Sequence, residues 1–402
     1  MNLKPVLQLM IFMAVFAGCQ GGRYYFANRL QELGIACALG LFLLGAWRGL
    51  FRLDIQEWQR WVLRSVYLIV GIMLTSAIVF SLNYEGNIAY SFFSAREFML
   101  AFAGPGLYLL VRCGLPIKLV EQAIWGALIA LMLNYLFFYF TMDLQAAFFS
   151  DDHTISNLVT FDEWRGFRLK PPLFAIMVSL LAAAMLVFQA RSTVALIVAV
   201  AIISIAAYIW SIVLFRATLA TMLLSVLLYP LLLSQRNRIP LIIVCIPIAV
   251  LAIPIAVETV ITHFLQADGG NIRAKAFLSA FDHIPNHLLL GAGEDSAYGQ
   301  SYQDIVAPYF FPSDLGLVGT LYKYGLIGVA LYLFMHFKIW ASLWRSNMNY
   351  KARHGRHHSL LWAFLIFMTA QTFNLALNPG LAYAQGITLG TIALFLAATH
   401  RD

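Results

Sequence analysis

The chain has 402 residues and a formal net charge of +7 at pH 7; 61% of its residues are hydrophobic and only 11% are charged. About a quarter of the residues of a soluble protein are charged, so this composition excludes an ordinary soluble domain and indicates an integral membrane protein. The basic residues form no run of the kind that binds nucleic acid, and no nucleic-acid partner is expected.

Apolar segments long enough to cross a membrane recur from one end of the chain to the other. A spanning helix needs about 20 mostly apolar residues, and in lipid its backbone hydrogen bonds must be satisfied within the segment. We therefore predict an all-α integral membrane protein, a single polytopic domain over residues 1–402, with about twelve spans at 5–20, 31–46, 62–82, 97–112, 121–142, 172–190, 193–214, 217–234, 240–261, 317–337, 359–378 and 380–399.

The first apolar segment has two interpretations. Lys4 followed by Val15-Phe-Ala-Gly-Cys19 is similar to a lipoprotein signal peptide, whereas a first transmembrane helix is the simpler interpretation.

The four cysteines have no CxxC spacing, so they predict neither a metal site nor a disulfide framework.

The segment from Asp143 to Lys170 alternates aromatic, acidic and basic side chains. Rings stack on the apolar faces of sugars and charged groups bond to their hydroxyls, so Trp164, Arg165 and Arg168 are candidate glycan contacts. The alternative is an interfacial belt of aromatic and basic side chains beside the membrane.

Arg216 interrupts an apolar stretch of 43 residues from Ser192 to Ser234. This length is about twice that of a bilayer core at 1.5 Å per residue, so the chain must turn near Arg216. An ionisable group flanked by apolar spans predicts a functional site, because burying it without a partner is costly.

Residues 262–316 form the largest predicted loop, between the ninth and tenth spans. Within it, Phe277, Phe281 and Ile284 recur at helical spacing, which predicts an amphipathic helix on the membrane surface. Asn271 is the expected cap of this helix, and Pro285 its expected stop.

Arg273 opens that helix close to the membrane face expected for Arg216. Two guanidiniums at one lipid–water boundary suit a diphosphate, since each offers a planar fork to phosphate oxygens. The alternative is a pair of arginines that bind lipid headgroups.

The helix leads into His287-Leu-Leu-Leu-Gly-Ala-Gly293, a Gly-rich turn in which the backbone can approach a ligand closely. His287 is a candidate catalytic residue, with a polar loop residue as the alternative. Asp314 follows at a predicted helix start, where it is either a general base or a helix N-cap.

Lys and Arg are enriched in one set of alternate loops, which carries sixteen of them against nine in the other set. Cytoplasmic loops keep the positive excess, so both termini are predicted to be cytoplasmic and the 262–316 loop to face outward.

The order of these features resembles the O-antigen ligase and O-antigen polymerase superfamily. The similarity lies in Arg216, Arg273, the His287–Gly293 turn and Gly325-Leu-Ile-Gly328, and it covers about Arg216 to Phe337, a third of the chain. Elsewhere only the hydropathy agrees.

The resemblance implies a metal-independent, inverting glycosyltransferase without a cofactor, active on the periplasmic side of the bacterial inner membrane. Its implied partners are an undecaprenyl-diphosphate-linked glycan, an acceptor glycan or glycolipid, the lipid bilayer and a chain-length regulator protein. By position, Arg216 and Arg273 match the family arginines thought to hold the diphosphate.

Two positions depart from the family pattern. Leu288 stands where a Pro usually follows the His, and Ser313-Asp314 stands where ligases carry a His-Asn pair. Because the ligase base is missing from its expected place, a polymerase is favoured, with Asp314 as a positional substitute. The alternative is a ligase that transfers glycan to the lipid A core.

A secondary transporter or lipid-linked sugar flippase is a second alternative, since such proteins also have twelve spans. Transporters typically show two similar halves with broken helices at mid-membrane, and no such repeat is visible here. Lys323 is the main candidate for an ionisable group inside a span, unless the segment Asp314–Tyr324 before Gly325 is a short surface helix.

Overall fold

The structure is a computed structural model of the chain, and it describes residues 4–25, 29–162, 166–189, 192–213, 221–223, 225–226, 272–295, 301–375 and 382–400. Nearly all of the described chain is helical. The helices are α1 (Lys4–Gly18), α2 (Arg29–Arg52), α3 (Ile55–Tyr84), α4 (Ile88–Ser94), α5 (Ala103–Arg112), α6 (Ile117–Thr141), α7 (Leu144–Phe148), α8 (His153–Ser156), α9 (Leu173–Gln189), α10 (Thr193–Val213), α11 (Ile272–His283), α12 (Tyr302–Ile305), α13 (Gly316–His354), α14 (Ser359–Asn374) and α15 (Ala384–Thr399).

The helices have the lengths and compositions of a membrane protein. Five segments among the described residues are long and apolar enough to cross a bilayer: Leu30–Arg52, Ile55–Tyr84, Ile117–Thr141, Thr193–Val213 and Pro312–His354. Helices α1, α9, α14 and α15 are shorter but equally apolar. The predicted helical membrane protein is therefore confirmed. The number of spans stays a prediction, because 217–234 and 240–261 lie almost entirely outside the described residues.

The helices pack through small residues. At the crossing of α2 and α5, a Cβ added at Gly45 would lie 2.7 Å from the Gly106 carbonyl oxygen, and one added at Gly106 would lie 2.6 Å from the Phe42 nitrogen. Close backbone approach of this kind drives helix association where lipid tails are as apolar as the side chains. Helix α14 is buried on every side, as expected for an apolar helix at the centre of a bundle.

The segment between α6 and α9 departs from the all-α prediction. After α7 and α8, β1 (Val159–Asp162) pairs antiparallel with β2 (Gly166–Leu169), with Thr160 opposite Arg168. Backbone bonds tie this hairpin to the start of α9, since Lys170 N–H donates to the Leu158 carbonyl at 2.9 Å.

Helix α13 is broken at Gly325, where φ is 64° and ψ is −170°. Its 39 residues would extend about 58 Å if straight, about twice the thickness of the hydrocarbon core. The break separates a short first segment, Gly316–Tyr324, which carries Lys323, from a long second segment. The predicted span 317–337 contains the break, and its extent stays a prediction. This break agrees with the alternative of a short helix before Gly325.

Helix α11 lies where the sequence predicts it, but with a different buried face. Ala276, Ala280 and Ile284 are buried against the protein, whereas the rings of Phe277 and Phe281 are exposed and pack on each other 5.0 Å apart. Phe277 and Phe281 thus form an exposed apolar face, as expected for contact with lipid, whereas Ile284 does not belong to that face. The α-helix ends at His283, two residues before Pro285, as predicted, and a 3₁₀ turn follows from Ile284 to His287. Asn271 lies outside the described residues.

Candidate functional site

The Gly-rich turn His287–Gly293 forms backbone hydrogen bonds with α13 on both sides of the break at Gly325. Beyond the break, Leu326 and Ile327 N–H donate to the carbonyls of Leu288 and Leu289 at 2.9 and 3.2 Å. Before the break, the carbonyls of Tyr322 and Lys323 accept from Ala292 and Gly293 N–H at 2.7 and 2.9 Å. The turn therefore replaces the helical hydrogen bonds that the kink removes, which lets the helix break inside the protein at low cost.

The glycines of this turn approach the protein's own backbone. Gly291 has a φ of 78°, and a Cβ there would lie 2.4 Å from the Lys323 carbonyl carbon. A Cβ at Gly293 would lie 2.4 Å from the Phe80 nitrogen in α3. The expectation that the Gly-x-Gly pair faces a ligand is therefore not met, since α13 and α3 occupy that space.

The kink places a buried ion pair beside the turn. The Lys323 ammonium donates to one oxygen of Glu294, and the Tyr324 hydroxyl donates to the other. Asp295 lies 3.9 Å from the same ammonium. The side chains of Lys323 and Glu294 are only 18% and 14% exposed, so the pair is largely removed from solvent.

Glu97 completes this group, which we call the Lys323 cluster: Glu97, Glu294, Asp295, Lys323 and Tyr324. The Glu97 carboxylate accepts from the Gln31 side chain at 2.7 Å and from the backbone N–H of Ala384, the first residue of α15. It also interacts electrostatically with Glu294. A carboxylate at a helix N-terminus is stabilised by the unpaired N–H groups there.

The cluster has an excess of acid over base. Three carboxylates accompany one ammonium, and Arg96 and Arg23 interact with Glu97 from outside the cluster. The carboxylates themselves do not suit an anion. Carboxylates in a shielded setting instead suit hydrogen bonding to sugar hydroxyls and the transfer of their protons.

An apolar cleft of about 170 Å³ runs up to the cluster. Its walls come from α3, α13, α15 and the 3₁₀ helix Ala95–Phe102, and they are almost entirely apolar. Tyr324 belongs both to the cleft wall and to the cluster, and its ring meets that of Phe98 edge-on at 6.1 Å. The cleft thus offers an apolar path that ends at a polar group.

His287 lies on a chain of hydroxyl groups on another side of the turn. Its Nε2 is 3.3 Å from the Tyr84 hydroxyl, which is 3.1 Å from the Tyr322 hydroxyl. Burial, and secondarily the charge of His283, lowers the pKa of His287 below its ordinary value. The His287 ring is therefore mainly neutral at pH 7. None of the contacts among the described residues joins this ring to Asp314.

Asp314 is exposed in the 3₁₀ turn Pro312–Leu315 that precedes α13. Neither that turn nor α13 has a side-chain N-cap, so the N-cap interpretation of Ser313 and Asp314 is wrong. The Tyr383 hydroxyl donates to the Ser313 carbonyl and so ties this turn to the segment that leads into α15. Asp314 therefore lies on a turn that contacts the segment of Ala382, a residue of the cleft lining.

One cation, Lys170, interacts with Asp314, and a second, Arg23, lies beside Lys170. Lys170 interacts electrostatically with Asp314 and with Arg23, and its pKa is lowered by burial and then by the charge of Arg23. The hairpin positions both residues: Tyr24 donates to the Lys170 carbonyl at 2.6 Å, and Arg23 to the Asn157 carbonyl at 3.3 Å.

The remaining predicted residues divide into two groups. Arg216, Trp164 and Arg165 lie outside the described residues, and of Arg273 only the backbone in α11 is described. Arg168 is 8% exposed and donates to the Val213 carbonyl at 3.1 Å, at the end of α10. The prediction of Arg168 as a surface glycan contact is therefore wrong, because its guanidinium fixes a helix terminus.

Sequence reasoning missed Glu97, Glu294 and Tyr324, and it treated Lys323 as a residue of a span. A usable signal was present, since Glu294 directly follows the Gly-x-Gly pair and Lys323-Tyr324 directly precede a glycine. The pairing with Glu97 had no such signal.

No protein-family model matches this chain, and no curated protein is similar enough to it to count as a match.

Proposed function

We propose that this protein polymerises undecaprenyl-diphosphate-linked oligosaccharide repeat units into a surface polysaccharide at the periplasmic face of the bacterial inner membrane. The observation that supports this proposal most is the apolar cleft between α3, α13 and α15 that ends at the Lys323 cluster. A lipid-linked sugar has the same polarity, with a long apolar tail and a hydrophilic head.

Each part of the lipid-linked glycan is assigned to a part of the protein of matching polarity. A part of the isoprenoid tail lies in the cleft, where Tyr332 and Leu331 form one wall, and the rest lies in the bilayer. The carboxylates of the Lys323 cluster bind hydroxyls of the glycan. The diphosphate is held by Arg216 and Arg273, as the resemblance to the polymerase and ligase superfamily implies.

The reaction is a transfer at an anomeric carbon. The acceptor hydroxyl oxygen forms the new glycosidic bond while the bond from the anomeric carbon to the diphosphate oxygen breaks. Asp314 takes the hydroxyl proton, and undecaprenyl diphosphate leaves with its charge stabilised by the arginines. Asp314 is assigned as the base because it is exposed on the turn that Tyr383 ties to the segment lining the cleft, whereas both oxygens of Glu294 already accept hydrogen bonds.

The proposal is tested by deleting the gene and analysing the surface polysaccharide together with the lipid-linked glycans. Core that carries a single repeat unit supports a polymerase. Bare core with full-length polymer on the lipid carrier would replace the proposal with a ligase, and precursor trapped on the cytoplasmic leaflet would replace it with a transporter.

Complementation with variants tests the site. Asp314→Asn is expected to abolish polymer formation, and Asp304→Asn is the matched control. Asp304 is an exposed acid of the same loop that accepts hydrogen bonds from Ser301 in a capping box. If the Asp314 and Asp304 variants form equal amounts of polymer, Asp314 is not the base.

A second pair of variants tests the cleft. Leu331→Trp fills the cleft and is expected to prevent polymer formation. Ile327→Trp, one turn earlier on the same helix and 59% exposed, is expected to leave it unchanged. Wild-type activity of the Leu331 variant would contradict tail binding in the cleft.

A further inference from the structure

A second polar cluster lies at the other end of the bundle. Glu121 in the second turn of α6, His358 at the N-cap of α14 and His400 at the C-cap of α15 meet there. Each histidine Nε2 is 3.1 Å from the same oxygen of Glu121. We call this group the Glu121 triad.

The triad is remote from the proposed catalytic site. Helix α15 starts at Ala384, beside Glu97, and its 16 residues end just before His400. At 1.5 Å per residue the two clusters are about 24 Å apart along this helix. Nothing in the proposed sugar transfer requires the triad.

The spacing of the three side chains fits one small cation. One ligand atom from each residue lies within 4.8 Å of the other two. In a tetrahedral zinc site, bonds of about 2.0–2.2 Å place neighbouring ligand atoms about 3.4 Å apart. The two separations of 3.1 Å from the Glu121 oxygen differ from that edge by only a few tenths of an ångström.

The chemistry of the three groups points to the same kind of ion. Two imidazoles and one carboxylate form a donor set that suits zinc and its first-row neighbours and disfavours magnesium and calcium. Three protein ligands leave the fourth position of a tetrahedron open for water. The side chains are 13–18% exposed, which shields the group from bulk solvent while leaving access for an ion.

Neighbouring residues hold both imidazoles in place. The Tyr350 ring packs edge-on against His358 and His400, at centroid distances of 5.0 and 5.6 Å. Arg353 donates to the His400 carbonyl at 2.9 Å. Support of this kind around metal ligands fixes their orientation and raises metal affinity.

Hydrogen bonding alone is the competing explanation of the same distances. It requires a proton on Nε2 of both histidines, whereas a metal requires that proton on Nδ1. Among the described residues, Leu361 N–H donates a long hydrogen bond of 3.5 Å to His358 Nδ1, which places the proton of this ring on Nε2 in the metal-free protein. A metal ion must displace that proton, so the binding measurement decides between the two explanations.

We propose that Glu121, His358 and His400 form a binding site for one divalent transition-metal ion, with Zn²⁺ as the preferred ion. Bound there, the ion joins the start of α6 to the start of α14 and the end of α15. The site therefore stabilises this end of the bundle.

The test is metal binding by the full-length protein in detergent, after removal of any affinity tag and of bound metal with a chelator. Titration with Zn²⁺ is expected to show one equivalent bound tightly and a rise in apparent melting temperature. Co²⁺ is expected to give the visible absorption of a tetrahedral site. Glu121→Gln and His400→Gln are each expected to weaken binding by at least about tenfold.

Two nearby histidines provide matched controls. His354 and His357 belong to the same stretch, but they make their contacts with Tyr350 and Asn347. His354→Gln and His357→Gln are expected to bind as the wild type does.

Three outcomes would overturn the site. They are no binding by the wild type, equal binding by the Glu121 and His400 variants, or loss of binding only in the control variants. If the triad variants fail to fold, X-ray absorption of the zinc-loaded wild type decides instead. A zinc coordination shell with two imidazole nitrogens and one carboxylate oxygen from the protein supports the site. Any other set of protein ligands contradicts it.

Discussion

Lys323 shows how much the position of a single charge matters in this protein. Its ammonium is largely buried beside Glu294, with Asp295 at 3.9 Å. Removing one member of a buried pair leaves an uncompensated charge, whereas replacing both can be nearly neutral. The pair therefore stabilises the kinked conformation only as long as both partners are present.

We expect Glu294→Gln to destabilise the protein by roughly 3 kcal/mol, at the lower end of the range for a broken buried pair because Asp295 remains. The double variant Glu294→Gln with Lys323→Met should recover most of this loss. Glu32→Gln is the control, since its pair with Arg96 at 2.6 Å is half exposed and contributes less than about 1 kcal/mol. Thermal unfolding in detergent measures all three, and equal shifts for Glu294 and Glu32 would contradict the argument.

His287 gives a pH dependence with a defined sign. Burial, and then His283, lowers its folded-state pKa, so the unfolded chain takes up a proton more readily than the folded protein as the pH falls. Stability linked to this group is complete above the ordinary pKa of about 6.5 and is lost as the pH falls towards the lowered value. Melting temperatures measured between pH 7.5 and pH 5 should fall less for His287→Gln than for the wild type, and parallel curves would exclude the assignment.

At the scale of elements, the break in α13 and the turn that follows α11 depend on each other. The turn supplies hydrogen bonds on both sides of Gly325, and the break in turn exposes the groups that the turn needs. This mutual dependence positions Lys323 and Tyr324 against Glu294. A straight α13 would move Lys323 and Tyr324 away from Glu294.

Gly325→Ala is expected to destabilise the protein by more than about 2 kcal/mol, because the backbone has a φ of 64° and the new Cβ would lie 2.3 Å from the Leu289 oxygen. Gly71→Ala in α3 is the matched control, since nothing lies within 4 Å of a Cβ there. Its stability should be unchanged or slightly higher, as alanine favours helix over glycine. Similar melting temperatures for the two variants would show that the kink does not require glycine.

At the scale of the whole molecule, the orientation in the membrane decides which cluster faces which compartment. The excess of Lys and Arg predicts a periplasmic 262–316 loop and cytoplasmic ends. The cationic end of α13, with Lys351 and Arg353 in its last turn, is then on the cytoplasmic side.

Single cysteines introduced into a chain without its four native cysteines test this orientation. Asp304→Cys should react with an impermeant maleimide added to the periplasm, whereas Gly355→Cys should react only after the membrane is opened. Gly355 suits this purpose because nothing lies within 4 Å of a Cβ there, although its φ of 68° adds some strain. The reverse labelling pattern would invert the topology and with it the proposed periplasmic site.

Those features that are local in sequence could be predicted from it. Apolar runs identify membrane helices because lipid leaves the backbone no other partner, so α1 and α6 lie close to their expected positions. Helical spacing of apolar residues located α11 in the same way. The break at Gly325 was also recognisable, since a glycine among apolar residues suggests a break. The apolar face of α11 was only partly predicted, because Ile284 and Ala280 pack on the protein, whose position the periodicity does not contain.

Contacts between distant segments were decided by the tertiary structure alone. Arg168 is typical of a surface residue in sequence, but the hairpin turns it inward to the end of α10. Glu97 meets Glu294, and Glu121 meets two histidines, only because segments distant in sequence are brought together by the packing of the bundle. Composition and periodicity determined that this is a helical membrane protein, since those follow from the solvent each segment prefers. Helix packing decided which charges share a site, since that depends on pairs of residues that no local pattern connects.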